Sequence, residues 1–346
     1  MKHLISIIIP NYNGSRTIGK CLESIFAFND DDWEVIVVDD CSEDSSIDII
    51  GKYPCRLIQL EKHAGASAAR NAGAFSSKGD VLFFIDADCL LKDDTLLIIR
   101  NHLSAQPADV VIGGTYTPVP RDPGFFNQFQ SAFINYFETK NSSSPDYLAT
   151  HALVINAETF RKFGGFKENF LPILEDVEFC HRLRRAGYRL IMDPDLQVRH
   201  IFNHSFMRSI QNAEKKARYW TMYSLVNRDL FADSGAASRE LKLNGVAWLA
   251  TVVLAFLSLV SGQREFLLPL PLLWAFGVFV NRYLFKAFYK AGGAFFALVA
   301  GTYYVIVYPA AVWLGAARGA VQYSLQNKMK SGKGGPREFY KGTSKE

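Results

Sequence analysis

Asp80-Val81-Leu82-Phe83-Phe84-Ile85-Asp86-Ala87-Asp88 runs an uninterrupted apolar segment straight into two acids. Residues 81–85 have the length and apolarity of a strand covered on both faces of a sheet. Acids that follow such a strand emerge at its carboxyl end, where open α/β sheets bind ligands. With one residue between them, Asp86 and Asp88 can turn oxygens toward one hard divalent ion, Mg²⁺ or Mn²⁺, of the kind that accompanies a diphosphate. A strand followed by a solvated acidic turn has the same signature, so the rest of the chain decides.

Upstream, residues 4–10 (LISIIIP) read as a buried first strand closed by a proline, and Asn11-Tyr12-Asn13-Gly14 supplies turn chemistry. Residues 17–28 have helical spacing, and residues 33–38 (WEVIVV) form a second strand ending in Asp39-Asp40. A short third strand over 56–60 leads to Lys62-His63-Ala64-Gly65 and a small-residue helix carrying Arg70 and Asn71. This βαβαβ alternation predicts a doubly wound, mostly parallel α/β sheet with helices on both faces. Downstream come a helix over 95–103, a strand over 109–113, an aromatic helix over 125–137, a strand over 151–155, a helix opening at Glu175-Asp176, and strand-like pieces over 188–192 and 197–200. The aromatic helix reads as core-facing or as the wall of an acceptor site.

The chain has 346 residues and a net charge of +4, with 49% hydrophobic residues concentrated after Gly245. No cluster of basic and aromatic residues in the first two hundred positions points to nucleic acid. Five scattered cysteines without metal-ligand spacing suggest a reduced, cytosol-facing compartment. Residues 206–231 mix basic and aromatic side chains in a pattern suited to a membrane interface or to a helix packed on the preceding domain. Apolar stretches at 245–262, 266–280 and 294–317 then predict two or three membrane helices, the first two close enough to form a hairpin or a paired re-entrant element. Arg282, Lys286 and Lys290 favour a cytoplasmic second connection. The expected division is 1–204, 205–243, 244–320 and 321–346: a catalytic domain, an amphipathic juxtamembrane segment, a transmembrane region and a basic polar tail. The expected location is the inner (plasma) membrane, multi-pass, with the catalytic domain cytoplasmic.

The acids gather at element ends: Asp39-Asp40 after the second strand, Asp86 and Asp88 after the central one, and Glu175-Asp176 at a helix start. A carboxylate pair suited to a nucleobase and ribose beside a metal site for a diphosphate points to a nucleotide carrying a leaving group. Asp176 is the candidate base for an incoming nucleophile. Ser6-Ile7-Ile8-Ile9-Pro10-Asn11-Tyr12-Asn13, Val37-Val38-Asp39-Asp40-Cys41-Ser42, Ala68-Ala69-Arg70-Asn71, Asp86-Ala87-Asp88, Gly164-Gly165-Phe166 and Glu175-Asp176-Val177, in that order, resemble glycosyltransferase family 2 on a GT-A fold. The resemblance covers about residues 4–200. It implies inverting sugar transfer from a UDP- or GDP-sugar with Mg²⁺ or Mn²⁺. By the same resemblance Pro10, Tyr12, Asp39 and Asp40 are expected at the base and ribose, and Arg70 at the base or diphosphate. Asp88 is expected to be the principal metal ligand, with Asp86 assisting and His200 reaching metal or diphosphate, and Asp176 to be the catalytic base.

Two departures stand out. The family often has glycine where this chain has Cys41, and the Q-x-x-R-W signature of processive synthases has no match beyond the loose echo Lys215-Lys216-Ala217-Arg218-Tyr219-Trp220. One sugar per acceptor is therefore expected, and the membrane segments suggest a lipid or lipid-linked acceptor. His63 and His151 read as loop and strand histidines, and Arg182 as a solvated helix residue. The competing readings are a processive polysaccharide synthase and a non-catalytic nucleotide-binding scaffold. A Rossmann dehydrogenase is disfavoured because no G-x-G-x-x-G follows the first strand.

Overall fold

The computed structural model describes residues 3–28, 32–107, 109–235 and 237–331. They divide into two compact units, one running to Asp122 and adding Glu138–Asn203, the other comprising Pro123–Phe137 and the chain from His204 onward.

In the first unit, the described residues form one sheet of eight strands. These are β1 (Ile5–Asn11), β2 (Trp33–Asp39), β3 (Arg56–Gln59), β4 (Val81–Phe84), β5 (Cys89–Leu91), β6 (Val110–Tyr116), β7 (Leu153–Asn156) and β8 (Arg189–His200), in the order β3-β2-β1-β4-β7-β6-β8-β5. The first seven helices are α1 (Ile18–Phe26), α2 (Ser46–Ile50), α3 (Ala66–Ser76), α4 (Thr95–Ala105), α5 (Phe125–Thr139), α6 (Ala157–Lys162) and α7 (Glu175–Arg185). The β3-β2-β1-β4 half is parallel, as the βαβ alternation predicts. Beyond β4 the sheet is mixed, because β7 runs antiparallel to both β4 and β6 while β6 and β8 are parallel. The two strand-like pieces expected at 188–192 and 197–200 are one twelve-residue strand, β8.

β4 lies between β1 and β7 and is buried along its whole length, which is why its sequence is continuously apolar. Ile8, Val38, Leu82, Phe84 and Ile155 pack with Phe160, Phe166 and Phe179 in the core that this sheet buries. That core fixes the strand ends from which the acids project.

The second unit is helical: most of α5, then α8 (Phe206–Asn227), α9 (Arg239–Ser261), α10 (Leu270–Val280), α11 (Arg282–Thr302) and α12 (Tyr308–Ser331), with a π turn at Tyr303–Val307. By length and apolarity, Arg239–Ser261 and Arg282–Gln326 are long enough to cross a membrane. The stretch expected at 266–280 is shorter than a span. It divides into a 3₁₀ turn (Arg264–Leu267) and the eleven-residue α10, about 16 Å long against an apolar layer of about 30 Å. α10 packs back on α9, forming a hairpin. α8 and α12 meet through Gly315 and Gly319, where a side chain would collide with the carbonyls of Glu214 and Arg218.

Candidate active site

The site grows from the carboxyl ends of β1, β2 and β4. Asp39 and Asp40 are both buried at the end of β2. Asp39 accepts hydrogen bonds from Asn11 Nδ2 (2.7 Å), the Ser42 amide (2.9 Å) and the Ser42 hydroxyl (2.6 Å). Asp40 accepts from the amides of Ala64 (2.7 Å) and Gly65 (2.8 Å), and His63 Nδ1 lies 2.9 Å from its second oxygen. Both carboxylates are thus spent on fastening the turn after β2 and the loop before α3. The rings they present are Tyr12, 49% exposed, and His63, whose ring centre lies 4.2 Å away. Pro10 sits half-buried in β1, paired with Val38.

Cys41 holds the left-handed backbone conformation, with φ of 63°. The turn that glycine would make without strain is therefore made here by a residue with a side chain, whose thiol points to the Leu60 carbonyl 3.0 Å away.

Arg70 is the hub of the opposite wall. Buried in α3, it donates to Asp86 (2.7 Å) and to Glu175 (2.6 Å), joining the end of β4 to the start of α7. Burial works to raise the Asp86 pKa, and Arg70, with His151 and His200, outweighs it and holds the carboxyl below its usual range. Asp176, next in the chain, accepts from the Val177 amide at 2.8 Å. Its pKa is pushed up to about 7, by burial first and then by the neighbouring charge of Glu175. Leu174, immediately before the helix, also sits at a positive φ of 78°, a strained conformation for a branched side chain beside a candidate base.

Asp88 and His200 meet because β5 and β8 pair antiparallel, with Cys89 opposite His200 and the Ile201 amide donating to the Asp88 carbonyl at 2.7 Å. His200 Nε2 lies 3.3 Å from Asp88 Oδ2, and the Asp88 side chain is 40% exposed. Asp88, Cys89 and His200 offer an oxygen, a sulfur and a nitrogen within 4.8 Å of one another. His200 Nδ1 is buried without a hydrogen-bond partner among the described residues. The carboxylate and imidazole fit Mn²⁺ or Mg²⁺ with a diphosphate completing the shell, whereas Cys89, with a thiol pushed well up by burial and by Asp88 and Asp86, is a poor ligand for a hard ion.

The sequence did not reveal the partners behind these groups. Glu175 pairs with Arg70 across 105 positions, and His151 is a buried residue whose Nε2 lies 3.3 Å from Glu138 while its ring stacks on Tyr116 at 4.0 Å. Burial works to lower the His151 pKa, but Glu138, with Asp86 and Asp176, outweighs it and favours the cation. Arg182, read as a solvated helix residue, instead donates to the carbonyls of Phe163 and Gly165 and to Glu178, fastening the glycine-hinged loop. No local pattern marks such long-range pairs.

Residues 6–157 match Glycosyl transferase family 2. The matched stretch runs from β1 through β7. The Glu175-Asp176 and His200 positions lie beyond the matched stretch. Glycosyltransferase GlyG of Streptococcus pneumoniae serotype 4 is 30% identical over 36% of this chain and 44% of its own length. An uncharacterized glycosyltransferase of Haemophilus influenzae is 31% identical over 52% of this chain and 62% of its own. The chain thus spans about half the length of these relatives. The mannosyltransferase PcManGT of Pyrobaculum calidifontis, solved in complex with GDP-Man and Mn²⁺, superposes with a TM-score of 0.55 at 16% identity, over 95% of this chain and 88% of that one. That similarity is one of fold, and it reaches beyond the matched stretch.

Proposed function

We propose that the chain is an inverting, metal-dependent glycosyltransferase that moves one sugar from a UDP- or GDP-sugar to a hydroxyl of a lipid or lipid-linked acceptor at the cytoplasmic face of a membrane. The observation that carries the reading is Asp176, a carboxylate poised near neutral pH and tied through Glu175 and Arg70 to the β4 acids. A base must be unprotonated at the working pH yet basic enough to take a hydroxyl proton, and a pKa near 7 satisfies both. As the acceptor oxygen attacks the anomeric carbon, Asp176 takes its proton, and the bond to the diphosphate breaks on the opposite face.

Tyr12 and His63 offer ring faces for the nucleobase, with Pro10, in β1, two residues before Tyr12, and Asp39 and Asp40 act through the turn and loop they fasten. Asp88 and His200 hold the divalent ion, with Asp86 and Arg70 beside them. When bound, that ion supplies positive charge to the departing diphosphate. The GDP-Man and Mn²⁺ bound by PcManGT support a nucleotide-sugar donor and a metal of this kind.

The membrane part rests on exposed apolar surface. Leu259 and Val260 of α9 are 81% and 69% exposed, and Leu268 and Leu272 are each 75% exposed, apolar side chains of the kind that mark a membrane or partner face where they cluster. On this reading residues 1–204 are catalytic, 205–243 juxtamembrane, 244–320 membrane-embedded in more than one pass, and 321–346 a basic tail.

The test is transfer in membranes from a panel of UDP- and GDP-sugars with Mn²⁺ and a total lipid extract, wild type beside Asp88→Ala. Metal-dependent labelling of a lipid, lost in the variant, is the expected result. Turnover of no donor would overturn the reading, and transfer to soluble sugars alone would overturn the lipid acceptor.

A further inference from the structure

α11 is two helices. Gly293 has φ of 76° and ψ of −174°, outside helical geometry, and breaks the element. The break is built into the fold: Gln128 Nε2 donates to the Ala291 carbonyl at 2.8 Å, satisfying an acceptor near the end of the first segment. The apolar stretch that follows therefore begins at residue 294, and residues 282–292 form a separate helix about 16 Å long.

That short helix is two-faced. Leu284, Phe288 and Ala291, at i, i+4 and i+7, are buried. Arg282, Lys286 and Lys290, at i, i+4 and i+8, are exposed on the other side, flanked by Tyr283 and Tyr289 at 57% and 59% exposure. Arg282 lies between the Phe279 and Tyr283 rings, 4.5 and 4.4 Å from their centres. Lys286 and Lys290 form no ion pair among the described residues, and residues 282–292 contain no acid. The helix joins the α9–α10 hairpin to the long apolar helix, so it lies where an apolar layer would meet water.

We infer that residues 282–292 dock on the anionic headgroups of a lipid leaflet, with Arg282, Lys286 and Lys290 against the phosphates and the two tyrosines at headgroup depth. The occupant follows from charge complementarity and from the aromatic side chains, which favour the boundary between apolar and aqueous phases. This inference rests on the membrane-anchored reading. Apolar helices insert without regard to lipid charge, so a preference for anionic lipid must come from a basic surface such as this one.

The test places the full chain in nanodiscs of phosphatidylcholine doped with a trace of pyrene-labelled phosphatidylglycerol or pyrene-labelled phosphatidylcholine, and reads energy transfer from the protein's tryptophans. A basic side chain near an anionic leaflet is worth up to about fivefold in affinity for it, and the gain falls with salt. Transfer to the phosphatidylglycerol label is expected to exceed transfer to phosphatidylcholine severalfold, to fall with added salt, and to become equal in the triple variant Arg282→Gln, Lys286→Gln, Lys290→Gln. A charge-matched control, Lys20→Gln, Lys52→Gln, Lys162→Gln, is expected to keep the preference. Equal transfer in the wild type, a preference that survives the triple variant, or the same loss in the control would overturn the inference. Failure of the chain to remain in the disc would overturn it together with the anchored reading, whereas a retained chain without lipid preference overturns this inference alone.

Discussion

Asp86 accepts a 2.7 Å hydrogen bond from Arg70, and the same guanidinium reaches Glu175 at 2.6 Å with its other terminal nitrogen. A planar fork bonds each acid from a separate nitrogen in fixed geometry, whereas an ammonium offers both acids one point charge on a flexible stem. Removing one partner of a buried pair leaves an uncompensated charge. Arg70→Ala is expected to destabilise the protein by about 3–5 kcal/mol. Arg70→Lys is expected to lose less stability but most of the transfer rate. Thermal unfolding in detergent, with activity measured in parallel, separates the two.

Asp176 makes a pH prediction. Its pKa, raised to about 7, gives transfer at low donor concentration an acidic limb with an apparent pKa near 7, since the base works only when ionised. Removing the adjacent charge in Glu175→Gln favours the ionised form, so the limb should move to lower pH. A limb that stays in place or moves upward would count against Asp176 as the titrating base.

The raised pKa also has a stability sign. A carboxyl whose folded pKa is raised binds its proton more tightly in the folded state, so its cost is absent below its usual pKa of 3.8. The cost grows as pH rises toward 7 and is fully present above it. Asp176→Asn should therefore abolish transfer yet stabilise the protein at neutral pH by about 1–3 kcal/mol, because each tenfold change in proton affinity is worth about 1.4 kcal/mol and solvent screening removes part of the total. Melting at pH 8 checks the gain, which should vanish near pH 4.

Cys41 carries left-handed strain that glycine would not. Cys41→Gly is expected to raise stability by about 1 kcal/mol, partly offset by loss of the thiol contact to Leu60. Urea unfolding of variant and wild type measures the difference.

The metal site predicts that Asp88→Asn and His200→Gln each weaken Mn²⁺ binding in the presence of nucleoside diphosphate by about tenfold or more. Titration followed by Mn²⁺ paramagnetic resonance reads this directly. Cys89→Ser should leave the affinity nearly unchanged, because the buried thiol stays protonated.

The parallel half of the sheet was legible because apolar runs ending in turn residues or acids mark buried strands wherever they occur, and Ile5–Asn11, Trp33–Asp39 and Val81–Phe84 are such runs. The antiparallel entry of β7 was not, since strand direction depends on connections through residues that carry no periodic signal. Among the site residues, those at strand ends announced themselves. Their partners did not: Glu175 meets Arg70, and Glu138 meets His151, only after the core has folded. β5, three residues long, is too short to leave a pattern, which hid the pairing that sets Cys89 opposite His200. The boundary at Gly293 was legible, since the third apolar stretch was read from residue 294; that the connection before it is itself a helix was not, because its basic residues interrupt the apolar pattern.

A single displacement with Asp176 as base fixes the anomeric configuration of the first product, which NMR reads for wild type and Asp176→Asn. From an α-linked donor only β-linked product is expected in the wild type and none in the variant. An α-linked product, or β-linked product formed undiminished by Asp176→Asn, would contradict it.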